Sequence, residues 1–148
     1  MHFTVVYFKE NVTLKDLKSK YLDIKDQLSE EFYTKYSDGC GERKPDIYDV
    51  CDWFQIGGRW NDMLRATKGY KGKASIFDLN KSTESNAFSI VNSADLEEEF
   101  LNKIDSCFAG VATELEYFEE GDPKFINFFT KLKNKEINGV LCLMDCHY

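Results

Sequence analysis

The side chains best suited to chemistry fall in two groups. His2 and His147 are the only histidines among 148 residues, and Asp145 stands two positions before the second of them. Two imidazoles and a carboxylate can hold a divalent metal on one face. They can also serve as a general base oriented by an acid, or hydrogen-bond a ligand. The plainer alternative is a pair of solvated strand ends. The second group is the stretch CDWFQIGGRW at residues 51–60, which puts Asp52, Trp53, Gly57, Gly58, Arg59 and Trp60 close together. Paired glycines in a strand mark a bulge, or a place where another group comes close to the backbone. Arg59 carries a planar fork suited to phosphate or carboxylate. Trp53 and Trp60 would supply a stacking wall, and Arg65, Lys68, Lys71 and Lys73 a positive field. That set suits an anionic, base-bearing ligand. The competing reading is a twisted bulge whose tryptophans are core and whose Arg59 pairs with Asp52. Neither GxxxxGK nor GxGxxG is present, so the two common phosphate loops do not apply.

The elements that must position these groups follow from periodicity. His2–Phe8 alternates and is rich in Val, Tyr and Phe, which predicts a first strand. A helix is expected from Thr13 to about Tyr36, with Leu14, Leu17, Tyr21, Ile24, Leu28 and Phe32 as its apolar stripe. Thr13 and Asp16 resemble a capping box at its start. Polar residues 37–49 read as a loop. Strand character returns at Trp53–Ile56, breaks at the glycines, and is expected to resume through Leu64. Ala74–Leu79 and Ala87–Val91 read as strands, and Asn92 or Ser93 as the cap of a helix carrying Leu96, Phe100, Leu101 and Ile104. Phe108–Tyr117 reads as a strand. Asp122-Pro123 opens a third helix that would bury Ile126, Phe129 and Leu132 and end at Asn138-Gly139. GVLCLMDCHY closes the chain as a buried strand.

The expected fold is therefore a single α+β domain over residues 1–148, with about three helices on a mostly antiparallel, ferredoxin-like-related sheet. If its first and last strands are antiparallel neighbours, His2 meets the tip that carries Asp145 and His147. Alternation then places those two residues on the face of Leu141 and Leu143, and turns Cys146 away. A Cys–His nucleophile is disfavoured for that reason, and Cys51 is no better a candidate.

Composition narrows the setting. Aromatic residues make up 15% and the net charge is −7, which argues against disorder and against general nucleic-acid binding. No apolar run approaches the ~18 residues of a membrane span. Five cysteines without a CxxC pair, and a start lacking a basic n-region, point to free thiols in a reducing cytoplasm. Charge is uneven: residues 56–75 carry Arg59, Arg65, Lys68, Lys71 and Lys73 against Asp62, while residues 92–122 hold ten acids and one lysine.

Three separated fragments, MHFTVV, DWFQIGGRW and LMDCHY, resemble a family of small proteins common in bacteriophage and prophage genomes. Its members open with MHF, carry D-W-aromatic-x-I/V-G-G-R-W and close with D-C-H. The family pattern falls on His2, Asp52, Trp53, Gly57, Gly58, Arg59, Trp60, Asp145, Cys146 and His147. The resemblance implies a phage or mobile-element setting, in the host cytoplasm, and brings no activity with it. Between the motifs this chain departs, being lysine-rich and short after Trp60.

Two functions are expected from different classes. One is a phage-type accessory protein that binds or hydrolyses a phosphate-bearing small molecule such as a nucleotide, through His2, Asp145 and His147 with Arg59, Lys73 and the tryptophans, with or without a divalent metal. The other is a non-enzymatic acidic inhibitor of a host defence enzyme, anti-CRISPR-like, acting through its 95–122 face.

Overall fold

The last strand explains most of the architecture. In the computed structural model, which describes residues 1–17, 24–36, 50–60, 63–66 and 87–148, Gly139–His147 forms one strand, buried along all but its tip. An unbroken apolar run such as GVLCLM suits a strand covered on both faces. We number the strands in chain order: β1 His2–Glu10, β2 Trp53–Ile56, β3 Leu64–Arg65, β4 Ala87–Phe88, β5 Ile90–Asn92, β6 Gly110–Thr113, β7 Tyr117–Glu119 and β8 Gly139–His147. The helices are α1 Ile24–Tyr36, α2 Glu98–Leu101 and α3 Pro123–Lys133.

Strands β2-β8-β1-β6-β7 lie in that order in one sheet, and β5 extends it beside the other half of β8. The first and last strands are neighbours for their full length, antiparallel, from His2 opposite His147 to Glu10 opposite Gly139. The sheet is mixed rather than mostly antiparallel, because β6 runs parallel to β1. A parallel pair needs a long crossover, and here the chain between Glu10 and Gly110 provides it. A separate two-stranded ribbon joins β3 and β4.

Helices cover both faces. Phe32 of α1 meets Tyr7 of β1 and Phe54 of β2, with ring centroids 5.8 and 4.7 Å apart. On the opposite face Phe128 of α3 packs on Phe8 at 5.1 Å. Burying each such side chain is worth about 1.5–3 kcal/mol. Among the described residues no helix is long and apolar enough to cross a membrane.

Several local expectations change. Thr13–Leu17 is a turn in which Asp16 Oδ2 accepts the Thr13 backbone N–H at 2.8 Å, so half of the capping box forms, while α1 itself is described from Ile24. The expected helix after Asn92 breaks into short turns around four-residue α2, because Asn92 makes no cap bond and its Oδ1 instead accepts Leu14 N–H. Phe108–Tyr117 is not one strand but the hairpin β6–β7. The chain does not resume as a strand after the glycines; Gly58–Trp60 makes a turn of 3-10 helix and β3 follows separately.

Asp122 caps α3 as expected, accepting Lys124 N–H at 2.9 Å. The helix stops earlier than Asn138-Gly139 and buries Phe125 and Phe128 in place of Ile126, which is exposed. Lys135 takes the left-handed φ of 61° that ends it, and Glu136 N–H returns to Lys131 C=O. This is the six-to-one bond of a Schellman cap, with lysine where glycine is usual. The expected loop 37–49 and strand Ala74–Leu79 lie outside the described residues.

Candidate functional site

Cross-strand register builds the site from the polar ends of β1, β2 and β8. His2 and Trp53 both stand opposite His147, one on each side of the central strand. Directly opposed residues share a face, so the three rings form one row. Trp53 stacks on His147 with centroids 5.0 Å apart and planes 17° from parallel. His2 meets both rings edge-on, at 5.5 Å from Trp53 and 5.0 Å from His147. One row further in, Thr4, Asp145 and Gln55 are aligned in the same way.

Asp145 is the hinge of the arrangement. It is only 2% exposed, yet both carboxylate oxygens are satisfied. Oδ1 lies 2.8 Å from His2 Nδ1, and Oδ2 accepts the backbone N–H of Arg59 at 2.9 Å. A carboxylate can only accept, so in this bond His2 Nδ1 is the donor.

The paired glycines make the second bond possible. Gly57 and Gly58 have φ of 77° and 51°, and Gly57 N–H is held by Leu143 C=O at 2.9 Å. The backbone then folds over β8, so closely that a Cβ on Gly58 would lie 2.3 Å from Asp145 Oδ2. The close approach anticipated at the glycines is therefore made by a side chain of the last strand.

The other candidates are distributed as follows. Arg59 is exposed, and it is its backbone N–H that reaches Asp145. Trp60 is partly buried against the core instead of forming a wall with Trp53. Asp52 is exposed and its N–H binds His147 C=O at 2.8 Å, which locks β2 to the tip of β8. Lys68, Lys71 and Lys73 lie outside the described residues. The expected metal-ligand set of His2, Asp145 and His147 is not built as one. Asp145 is committed to His2 and Arg59, His147 Nε2 faces the amino nitrogen of Met1 at 3.4 Å, and no trio of His, Cys, Asp or Glu among the described residues could hold an ion. His147 Nδ1 is buried without a hydrogen-bond partner.

Cys146 points to the other face, where its thiol is held protonated, first by a hydrogen bond with Cys51 and then by burial. A thiolate nucleophile has no support there. Thr4 and Gln55 are absent from the sequence-derived site, although a period of two from His2 and Trp53 would have found them.

Three of the ten acids in residues 92–122 are held in ion pairs. Glu98, Asp105 and Glu116 pair with Lys135, Lys133 and Lys124, all supplied by α3 or the residues after it. Two cavities lie away from the His2–Asp145 pair. One, of about 570 Å³, includes Phe8, Phe118, Phe128 and Lys131 in its lining. The other, about 670 Å³, includes Phe3, Tyr117 and Tyr148. A ligand at the histidines would rest on the aromatic row.

No protein-family model, curated protein or solved structure matches this chain.

Proposed function

We propose that the strand-end site is a ligand site for a phosphate-bearing small molecule with an aromatic base, such as a nucleotide, and that the protein is a phage-type accessory factor. His2 Nε2 is the acid–base atom, Asp145 orients its ring, Trp53 offers a stacking face, and Arg59, exposed on the glycine turn, supplies a guanidinium. The observation that carries the reading is the His2–Asp145 bond. A carboxylate 2% exposed is held at 2.8 Å from one imidazole nitrogen by a glycine turn shaped around it. Burying such a charge is costly unless it is fully hydrogen-bonded, and the outcome here is one ring nitrogen fixed and the other available. An oriented neutral imidazole is what general-base work requires.

Trp53 supports the base-binding half, since its side chain is 46% exposed while one face already stacks on His147. The acidic-inhibitor reading is less well supported, because three of its ten acids are already spent on lysine partners.

The test is a fluorescence titration with a panel of nucleoside mono- and triphosphates, which reads Trp53 directly. Saturable quenching is expected, lost in Trp53→Phe and weakened about tenfold or more in His2→Ala and Arg59→Ala, in keeping with a charge-assisted contact. Truncating Arg59 leaves its backbone bond to Asp145 in place, so its thermal midpoint should hold. The reading is abandoned if no nucleotide quenches at millimolar concentration. It is replaced by the inhibitor reading if charge reversal at Glu97, Glu98 and Glu99, and not at the strand-end site, removes function.

A further inference from the structure

On the sheet face opposite His2 and Asp145, beside the same strand ends, a cavity of about 670 Å³ opens. That volume lies within the range of small-molecule sites. Three aromatic rings, those of Phe3, Tyr117 and Tyr148, line it, and Glu119 and Glu120 stand at it as exposed carboxylates. Among the described residues, neither Lys nor Arg contributes to its lining. The Met1 amino group, which adjoins it, is engaged by Tyr148 C=O at 3.1 Å and by His147 Nε2.

The placement of Tyr117 is a consequence of sequence. Its ring lies against the bare Cα of Gly110, where a Cβ would come within 2.3 Å of the phenol oxygen and 2.7 Å of two ring carbons. Any other residue at 110 would push the ring out of its place. Glu119 follows two positions later on the same strand face, opposite Gly110. The Tyr117 phenol is held protonated, by burial first and by Glu119 next, so the ring at the cavity is uncharged.

We infer that this cavity is a binding site for an organic cation, an alkylammonium or guanidinium group held over Phe3, Tyr117 and Tyr148 and balanced by Glu119 and Glu120. Ring faces attract cations through their quadrupole, and quaternary ammonium recognition uses clustered aromatics with nearby acids. The carboxylates raise the local cation concentration, and the rings select a cation whose hydration is weak enough to give up. A free small ammonium compound and the side chain of a methylated lysine share this chemistry. The proposal does not depend on the nucleotide reading, since no residue is common to the two sites.

The experiment titrates untagged protein with choline, with an acetylated trimethyllysine amide, and with neohexyl alcohol, the uncharged isostere of choline. Calorimetry gives affinity and proton NMR gives the Tyr117 and Tyr148 ring shifts. At least one cation is expected to bind and shift those rings, with the alcohol about tenfold weaker or more. Choline as the tighter ligand identifies a free ammonium compound; trimethyllysine as the tighter one identifies a protein side chain. Tyr148→Ala and the double change Glu119→Gln with Glu120→Gln, all at exposed positions, should weaken binding severalfold without moving the thermal midpoint. Gly110→Ala should weaken it by displacing the Tyr117 ring. Equal binding of the alcohol overturns the inference, as does the absence of any ring shift with either cation.

Discussion

Asp145 and Glu31 are both carboxylates drawn into the fold with two partners, and they differ in who those partners are. Glu31 sits on α1 and accepts Lys9 Nζ at 2.8 Å and the Tyr7 hydroxyl at 3.1 Å. Its side chain keeps 29% exposure, and its partner Lys9 is a permanent cation. Asp145 is 2% exposed, with an imidazole on one oxygen and a backbone N–H on the other. The first arrangement balances a lysine pulled under a helix by its apolar stem. The second fixes the orientation of an imidazole ring by one of its nitrogens. Two pairs with similar bond lengths thus join different parts of the molecule: one ties α1 to β1, and the other ties the start of β1 and the glycine turn to the tip of β8.

That contrast can be broken most severely at Gly58. Gly58→Ala adds a methyl group into Asp145 at a backbone φ of 51°. The expected cost is about 3 kcal/mol, from overpacking and left-handed strain together, with thermal unfolding lowered by roughly 10 °C. Asp145→Ala comes next, at about 2–3 kcal/mol, since it strands His2 Nδ1 and the Arg59 N–H in partly buried positions. Glu31→Ala should cost less in denaturant unfolding, about 1–2 kcal/mol, because Glu31 is itself 29% exposed and its removal lets water take the place of the carboxylate. If Glu31→Ala costs more than Asp145→Ala, the distinction between the two carboxylates fails.

Alkaline titration sharpens the comparison. Burial, and then Glu31, raise the Tyr7 pKa well above the ordinary tyrosine value. The folded state therefore keeps a proton that the unfolded chain releases above pH ~10, so stability is fully present below that value and falls as pH rises past it. Tyr7→Phe removes the sensitive group. It should lose about 1 kcal/mol at neutral pH, where the bond to Glu31 is gone, and show a shallower decline above pH ~10. An unchanged slope would mean that Tyr7 is not the group responsible. The smallest effect belongs to the Glu116–Lys124 pair, whose side chains are 41% and 59% exposed. Glu116→Gln should stay within ~0.5 kcal/mol of wild type by the same unfolding measurement.

Much of the fold was legible because its signals are local or periodic. Alternation at His2–Phe8 marks β1, Asp122-Pro123 marks the start of α3, and the apolar run before Asp145 marks a strand buried on both faces. The pairing of the first and last strands followed from where the polar residues stood. Other features were hidden because they depend on partners far away in the chain. The parallel alignment of β6 with β1, the use of Asn92 Oδ1 by Leu14 and the lysine that ends α3 leave no local trace. The acidic run was legible as a run, while its pairing with Lys124, Lys133 and Lys135 was not, since those partners lie elsewhere in the chain.

By itself the amino-acid order determined that His2, Asp145 and His147 lie on the polar ends of strands and that Gly57-Gly58 interrupts one. Alternation of side chains across a pleated strand is a property of the backbone and needs no partner. Only the tertiary structure decided which groups touch. Register set His2 and Trp53 on either side of His147, and the glycine turn brought a main-chain N–H onto Asp145, because bonds between strands far apart in sequence are fixed by the packing of the whole sheet.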